Sequence, residues 1–291
     1  MKFWQMLTWM EPDQILEVAR FAEEVGFDGV MLGDHGVFPC DVKAPYPYSA
    51  DGKPPMAPDS WYPDCWATIG AISAVTNRLR CGVAVYVLPL RNVFEVARAT
   101  GTLAILSGNR FVLGAGIGWM KDEFEIYGAD FHTRGKRFDE MLDALAKLWA
   151  GGMVEHHGQY IDFPLLQISP APEQPVPVFI GGSSPVAFRR AATRAQGWIG
   201  AGNMPEEVPA ILAELQRLRQ EAGRDQLPFE TVIGLKTAPD LATFQRLHAL
   251  GMSGGVSYPF TFTAGKHSSL DDKKRVMEDF ARRFIRPLAV G

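Results

Sequence analysis

Eight times along this chain of 291 residues, a short apolar run gives way to an amphipathic helical pattern. Few folds accept that alternation, because strands separated by helices in sequence collect into a parallel sheet. The strand-like runs fall at 3–9, 28–33, 79–88, 110–115, 176–180, 197–202, 229–236 and 253–258. The helical patterns fall at 12–25, 65–75, 93–106, 133–149, 187–194, 206–222, 241–250 and 270–284. Eight βα units in this length predict an α/β fold, a TIM-type (β/α)8 barrel forming one domain over 1–291. Its site would lie at the carboxyl ends of the strands. An open doubly wound sheet is the alternative, and it would use fewer repeats.

Local signals support the boundaries. Pro12 suits a first helical position and Gly26 a helix end. Thr133 can cap the helix that carries Phe138, Met141, Leu142, Leu145, Leu148 and Trp149, and Ser184 with Pro185 can open another. Two insertions break the rhythm, one after the second strand and one before the fifth. Residues 36–63 hold seven prolines together with Tyr46, Tyr48, Trp61 and Tyr62, which predicts an ordered cover over one end of the barrel. Residues 151–175 predict a small hairpin turning at Gly158, then a proline-rich return.

Composition narrows the partners. Hydrophobic residues make up 47% and charged residues 21%, with a net charge of −4, as in a soluble globular protein. Neither a nucleic-acid nor a membrane partner is indicated, and no apolar run approaches the roughly 18 residues of a span. A helix pattern begins soon after Met1, so no signal peptide is expected. Cys40, Cys65 and Cys81 form neither a CxxC nor a zinc pattern, which fits free thiols in the cytoplasm.

The strand ends supply the candidate chemistry. Glycines cluster at 114–118, 181–182 and 200–202, on three different strands. A mouth lined by glycines and aromatics suits a large planar cofactor, while tight strand-to-helix packing is the plainer account. The dinucleotide fingerprint fails, because its last glycine would fall on Trp119. Gly181, Gly182 and Ser183 before a helix offer backbone N–H groups to a phosphate, or form a plain turn. Asp34-His35 is the best acid/base pair, with His35 either moving a proton or only bonding the cover loop. Arg134, Lys136 and Arg137 open a helix against its dipole, which suggests an anion or a solvated face. Asp122 and Glu123 obey the dipole rule and read as structural. Adjacent His156 and His157 would point to opposite faces, and no metal site is expected.

Several of these stretches resemble the luciferase-like monooxygenase superfamily, and more narrowly its branch that uses the deazaflavin coenzyme F420. They are Asp34-His35, Val87-Leu-Pro-Leu-Arg-Asn92, Leu106-Ser-Gly-Asn-Arg110, Gly114-Ala-Gly-Ile-Gly-Trp-Met-Lys-Asp-Glu-Phe124, Phe131-His-Thr-Arg-Gly-Lys-Arg137 and Ile180-Gly-Gly-Ser183. The resemblance runs to about Gly202 and implies a barrel holding the cofactor at its carboxyl end. It implies a non-proline cis peptide at Ala84–Val85 behind the ring, and ring contacts from His35, Ala84, Val85 and Tyr86, with Asp34 also among the cofactor-binding residues. Gly116, Ile117 and Gly118 would line the tail. Gly181, Gly182 and Ser183 would meet the phosphate, with Gly200, Ala201 and Gly202 beside it.

Where sugar-phosphate dehydrogenases of this branch place a proton-donating glutamate after the third glycine, this chain has Trp119. That departure argues against sugar-phosphate oxidation and leaves His35 as the catalytic candidate. The expectation is hydride transfer between F420 and a small, apolar or activated organic substrate. An FMN-dependent monooxygenase using oxygen, or a barrel that only carries the cofactor, are the alternatives. A homodimer follows from the resemblance and not from the composition.

Overall fold

Trp4, Met31, Val112, Phe179, Ile199 and Val232 pack together inside a closed ring of eight parallel strands. The structure is a computed structural model that describes residues 1–238 and 240–289. The strands are β1 (Lys2–Met6), β2 (Gly29–Leu32), β3 (Arg80–Val83), β4 (Phe111–Gly116), β5 (Val178–Gly181), β6 (Gly197–Asn203), β7 (Glu230–Leu235) and β8 (Gly254–Ser257). Each pairs in parallel with its sequence neighbours. The ring closes where β1 meets β8, with Lys2 opposite Gly254 and Gln5 opposite Ser257.

Helices α1 (Ile15–Val25), α2 (Cys65–Val75), α3 (Val93–Leu106) and α4 (Arg134–Trp149) follow the first four strands. Helices α5 (Pro185–Arg194), α6 (Val208–Glu221), α7 (Leu241–Ala249) and α8 (Leu270–Phe280) follow the last four. The TIM-type (β/α)8 barrel read from the alternation is therefore the fold. Among the described residues no helix is long and apolar enough to cross a membrane.

Two cores follow from strand alternation. Residues of one parity fill the ring, and those of the other pack beneath the helices, where Phe3, Val30, Cys81, Phe111 and Leu113 are buried. Glycine makes the inner layer feasible. A Cβ on Gly29 would lie 2.3 Å from the Trp4 ring, so only glycine leaves space for that indole. The amino-terminal end is closed by charge. Arg80 donates to both Glu230 oxygens at 3.0 and 2.9 Å, Lys2 reaches Glu230 at 2.9 Å, and the Arg80 guanidinium lies 5.0 Å over Trp4. Function is thereby left to the opposite end.

The structure corrects several expected boundaries. β1 stops at Met6 and not at residue 9, because Trp9 turns the chain with a φ of 63°. The run at 79–88 is broken by a cis Ala84–Val85 peptide, where the resemblance placed one, and resumes only at Tyr86–Val87. Thr133 makes no side-chain cap to α4. Asp130 instead accepts from His132 N at 2.8 Å, and Thr133 Oγ1 donates to the Asp130 carbonyl. α8 ends at Phe280 and widens into a π-turn over Ala281–Ile285.

Other expectations hold. Ser184 caps α5 by accepting from Ala187 N, and Pro185 occupies the first turn. The hairpin pairs Val154–His157 with Asp162–Leu166, burying His156 and exposing His157.

Candidate functional site

A cavity of about 1110 Å³ opens at the carboxyl ends of the strands. Of the expected site residues, Asp34, His35, Ala84, Val85, Gly116, Ile117, Gly118, Gly181, Gly182, Ser183, Gly200, Ala201 and Gly202 all line it. Tyr86 does not. Its ring turns away from the mouth, tilted against Trp66 at 4.4 Å and beneath the Arg91 guanidinium at 4.8 Å, and Val87 takes the lining position. Alternation along a strand puts neighbours on opposite faces, which accounts for the exchange.

The floor is built around Val85. A Cβ on Gly116 would come within 2.4 Å of one Val85 methyl, and a Cβ on Gly181 within 2.6 Å of the other. Two strands thus give up their side chains so that the bulge can lie between them as a low apolar step. Below it, a Cβ on Gly114 would sit 1.7 Å from the Val83 carbonyl oxygen. The glycines of 114–118 serve strand packing first, and the flat wall above follows from it.

Asp34 fastens this floor to the second strand. Its carboxylate accepts from Val87 N at 2.9 Å and from the Arg91 guanidinium at 2.8 and 2.9 Å. Burial alone would lower the pKa of Arg91, but the Asp34 charge and hydrogen bond, together with Tyr86 and Tyr127, more than offset it and raise that pKa. Asp34 therefore acts on the cavity through the elements it holds.

His35 is next along the chain, and here Glu123 proves to matter. His35 Nδ1 lies 3.0 Å from Glu123 Oε2, while Glu123 Oε1 accepts from Gly36 N at 2.8 Å. Asp122 beside it accepts from Lys43 N and Ala44 N at 3.1 and 3.0 Å. Both carboxylates belong to the short helix Lys121–Ile126 and both hold the insertion after β2. Reading them as dipole partners of their own helix missed this. The remaining signal was the loop itself, which needs acceptors for its unpaired N–H groups.

That insertion forms an aromatic roof. Tyr46 packs edge-on against Trp119 at 5.0 Å and against Tyr48 at 5.4 Å. Tyr62 meets His35 at 5.2 Å and Trp9 at 6.4 Å, and Trp9 meets Phe262 at 5.8 Å. Burial, with a smaller contribution from Tyr48, pushes Tyr46 up to about 12, and burial does the same to Tyr258. These phenols stay neutral at physiological pH and give the aromatic part of the cavity a few neutral donors, with the Lys43, Lys121 and Asp122 side chains also lining it.

The other half is cationic. Gly182 adopts a φ of 112° and Ser183 leads into α5, while Arg134 and Arg190 also line the cavity. Arg190 donates to both Asp139 oxygens at 2.7 and 2.9 Å. Among the described residues Arg134 meets no carboxylate: it donates to the carbonyls of Phe131 at 2.7 Å and Gly118 at 3.3 Å, and its guanidinium lies 3.5 Å over the Phe131 ring. Burial and then the Arg190 charge lower the pKa of Arg134, the mark of a cation lacking its counter-ion. Of the three basic residues expected here, only Arg134 reaches the cavity. Lys136 and Arg137 do not, and Arg190, with no local sequence signal, takes their place. Among the described residues no group of three or more His, Cys, Asp or Glu side chains is placed to hold a metal ion.

The chain is similar in sequence and in fold to known proteins. An uncharacterized protein of Mycobacterium tuberculosis is 34% identical over 272 residues, covering 93% of this chain and 94% of its own. An F420-dependent glucose-6-phosphate dehydrogenase of Microbacterium testaceum is 30% identical over 233 residues, covering 78% of this chain and 64% of its own. The F420-dependent tetrahydromethanopterin reductase of Methanopyrus kandleri superposes with a TM-score of 0.76, covering 98% of both chains at 14% identity, a likeness of fold. Residues 2–245 match the family described as luciferase-like monooxygenase, and the chain belongs to that family.

Proposed function

We propose that this protein is an F420-dependent oxidoreductase acting on a small, apolar, activated organic substrate such as a conjugated enone. One observation carries the reading: a single cavity joins a glycine-flanked apolar floor to a cationic end. That polarity matches a planar ring with a phosphorylated tail. The residues fit the group, because the side chains missing at Gly116 and Gly181 leave a flat approach to the Val85 step. When bound, the deazaflavin would supply a hydride-carrying ring carbon.

This chain's own residues would do the rest. Val85 and Ala84 would support the ring, Ile117 would line the tail, and Gly182, Ser183 and Arg134 would hold the phosphate. Tyr46, Tyr62 and Trp119 would exclude water and sandwich the substrate, and His35 would move a proton at its free ring nitrogen. The F420-dependent relatives favour this cofactor over FMN. Sugar-phosphate oxidation is not expected, because Trp119 closes the substrate half with an indole that offers no transferable proton.

Titrating the purified protein with F420 and with FMN tests the reading. Micromolar binding of F420 with weaker FMN binding supports it, and FMN binding without F420 affinity overturns it. Reduced F420 should then be oxidised in the presence of a panel of activated alkenes. No turnover across that panel would favour a carrier. Loss of turnover in His35→Ala would support the proton role, and an unchanged rate and pH profile would remove it.

A further inference from the structure

We propose that Glu123 is the positioning residue for His35, fixing the imidazole with its proton on Nδ1 and presenting an unprotonated Nε2 to the cavity. An ionised carboxylate only accepts hydrogen bonds, so across the 3.0 Å contact Glu123 holds a hydrogen on Nδ1, and in the neutral ring Nε2 is then bare. Glu123 cannot turn to another partner. Its side chain is 1% exposed, its second oxygen is taken by Gly36 N, and the neighbouring cation Arg91 is committed to Asp34.

Edge contacts from Tyr62 and Trp119, at 5.2 and 6.0 Å, set the plane of the ring. Nε2 forms no hydrogen bond among the described residues and is not one of the buried unpaired atoms. In this tautomer Nε2 is the atom that carries the proton: it picks one up from solvent, forming an imidazolium paired with Glu123, and delivers it to the enolate left by hydride addition, which returns Nε2 to its bare form. With the proton on Nε2 instead, the ring could only donate, and a bare Nδ1 would face a carboxylate. The catalytic consequence rests on the oxidoreductase reading above. The tautomer itself does not.

Glu123→Gln separates orientation from scaffolding. Gly36 N–H still needs an acceptor, so the Gln oxygen stays on Gly36 and its NH2 faces Nδ1, which forces the proton to Nε2. The experiment is long-range 1H–15N NMR of the imidazoles in the cofactor-free protein, at a pH where they are neutral, with His35→Asn to assign the signal. Nδ1–H is expected in the wild type and Nε2–H in Glu123→Gln. An Nε2–H wild type, or an unchanged variant, would overturn the proposal, and the wild-type spectrum decides even if the variant misfolds.

In F420-linked turnover, Glu123→Gln should lower kcat by roughly 10²-fold or more with KM little changed. Asp122→Ala, which loosens the same loop without touching His35, should move KM first. Wild-type kcat in Glu123→Gln would also sink the positioning role. A protein that binds no F420 leaves the NMR result standing, so the two failures are distinguishable.

Discussion

Arg91 grips Asp34 across the cavity floor, with its NH2 group 2.8 Å from Oδ1 and 2.9 Å from Oδ2. The same carboxylate receives Val87 N, so one ion pair joins the end of β2 to the strand piece beyond the bulge. The Asp34 side chain is 8% exposed, and without Arg91 its charge would be buried with only the backbone N–H to face. Arg91→Ala should therefore cost about 3–5 kcal/mol in unfolding free energy, as expected for half of a buried pair. Urea denaturation checks it. A loss below about 1 kcal/mol would mean that the pair behaves as a surface contact.

Asp122 should matter locally and not globally. Asp122→Ala removes the acceptors of Lys43 N and Ala44 N, worth about 1–3 kcal/mol of loop closure. Hydrogen exchange at those two amides should speed up by roughly tenfold or more, with barrel strands unchanged. Exchange rates equal to wild type would show that the aromatic roof alone holds the loop.

Local patterns made the barrel and most of the cavity wall legible. Apolar runs of the right length, glycines at three strand ends and Asp34-His35 are all properties of neighbouring residues. Where the reading of the site failed, the cause lay far along the chain. Glu123 meets His35 from 88 positions away, and a carboxylate in the first turn of a helix already has a sufficient local reason to be there. Arg190 projects from the middle of α5, and only the approach of α4 brings it beside Arg134. β1 was drawn too long because Leu7 and Trp9 continue the apolar run while the backbone has already turned.

The glycine wall can be tested by adding methyl groups. Gly116→Ala places a Cβ 2.4 Å from a Val85 methyl, an overpacking that should cost about 1–3 kcal/mol and weaken cofactor binding about tenfold or more. Adding Val85→Ala should recover most of the lost stability, because the obstacle is a side chain, but not the cofactor affinity, since Val85 itself supports the ring. Gly114→Ala should not be rescued, since its Cβ meets the Val83 carbonyl oxygen at 1.7 Å. Thermal unfolding and F420 titration on the single and double variants read this out. Equal behaviour of the 114 and 116 variants would contradict the packing account.

Arg134 should carry more of the anion affinity than Arg190. Arg190 is already neutralised by Asp139, whereas Arg134 meets carbonyl oxygens and the Phe131 ring but, among the described residues, no carboxylate. Arg134→Ala should weaken F420 binding by about tenfold and flatten its dependence on salt. Titration at low and high ionic strength measures both. An unchanged affinity would move the phosphate elsewhere.

The amino-terminal end of the barrel makes a prediction about acid. Burial pushes the Glu230 carboxyl up, but hydrogen bonding to Arg80, the Arg80 charge and Lys2 together hold it below its ordinary value of 4.5. A depressed folded-state pKa means that the unfolded chain binds the proton more tightly. This group's contribution is therefore complete above about pH 5–6 and is lost as pH falls through the folded value. Glu230→Gln keeps the shape and removes the charge. At pH 7 it should cost about 1–2 kcal/mol, the range of a charged hydrogen bond partly screened by solvent. The gap between wild type and variant should stay constant from pH 8 to about pH 6 and narrow steadily below 4.5. Urea unfolding of both proteins across that range measures the gap directly, and one that persisted undiminished at pH 3 would show that Glu230 acts by packing and not by charge.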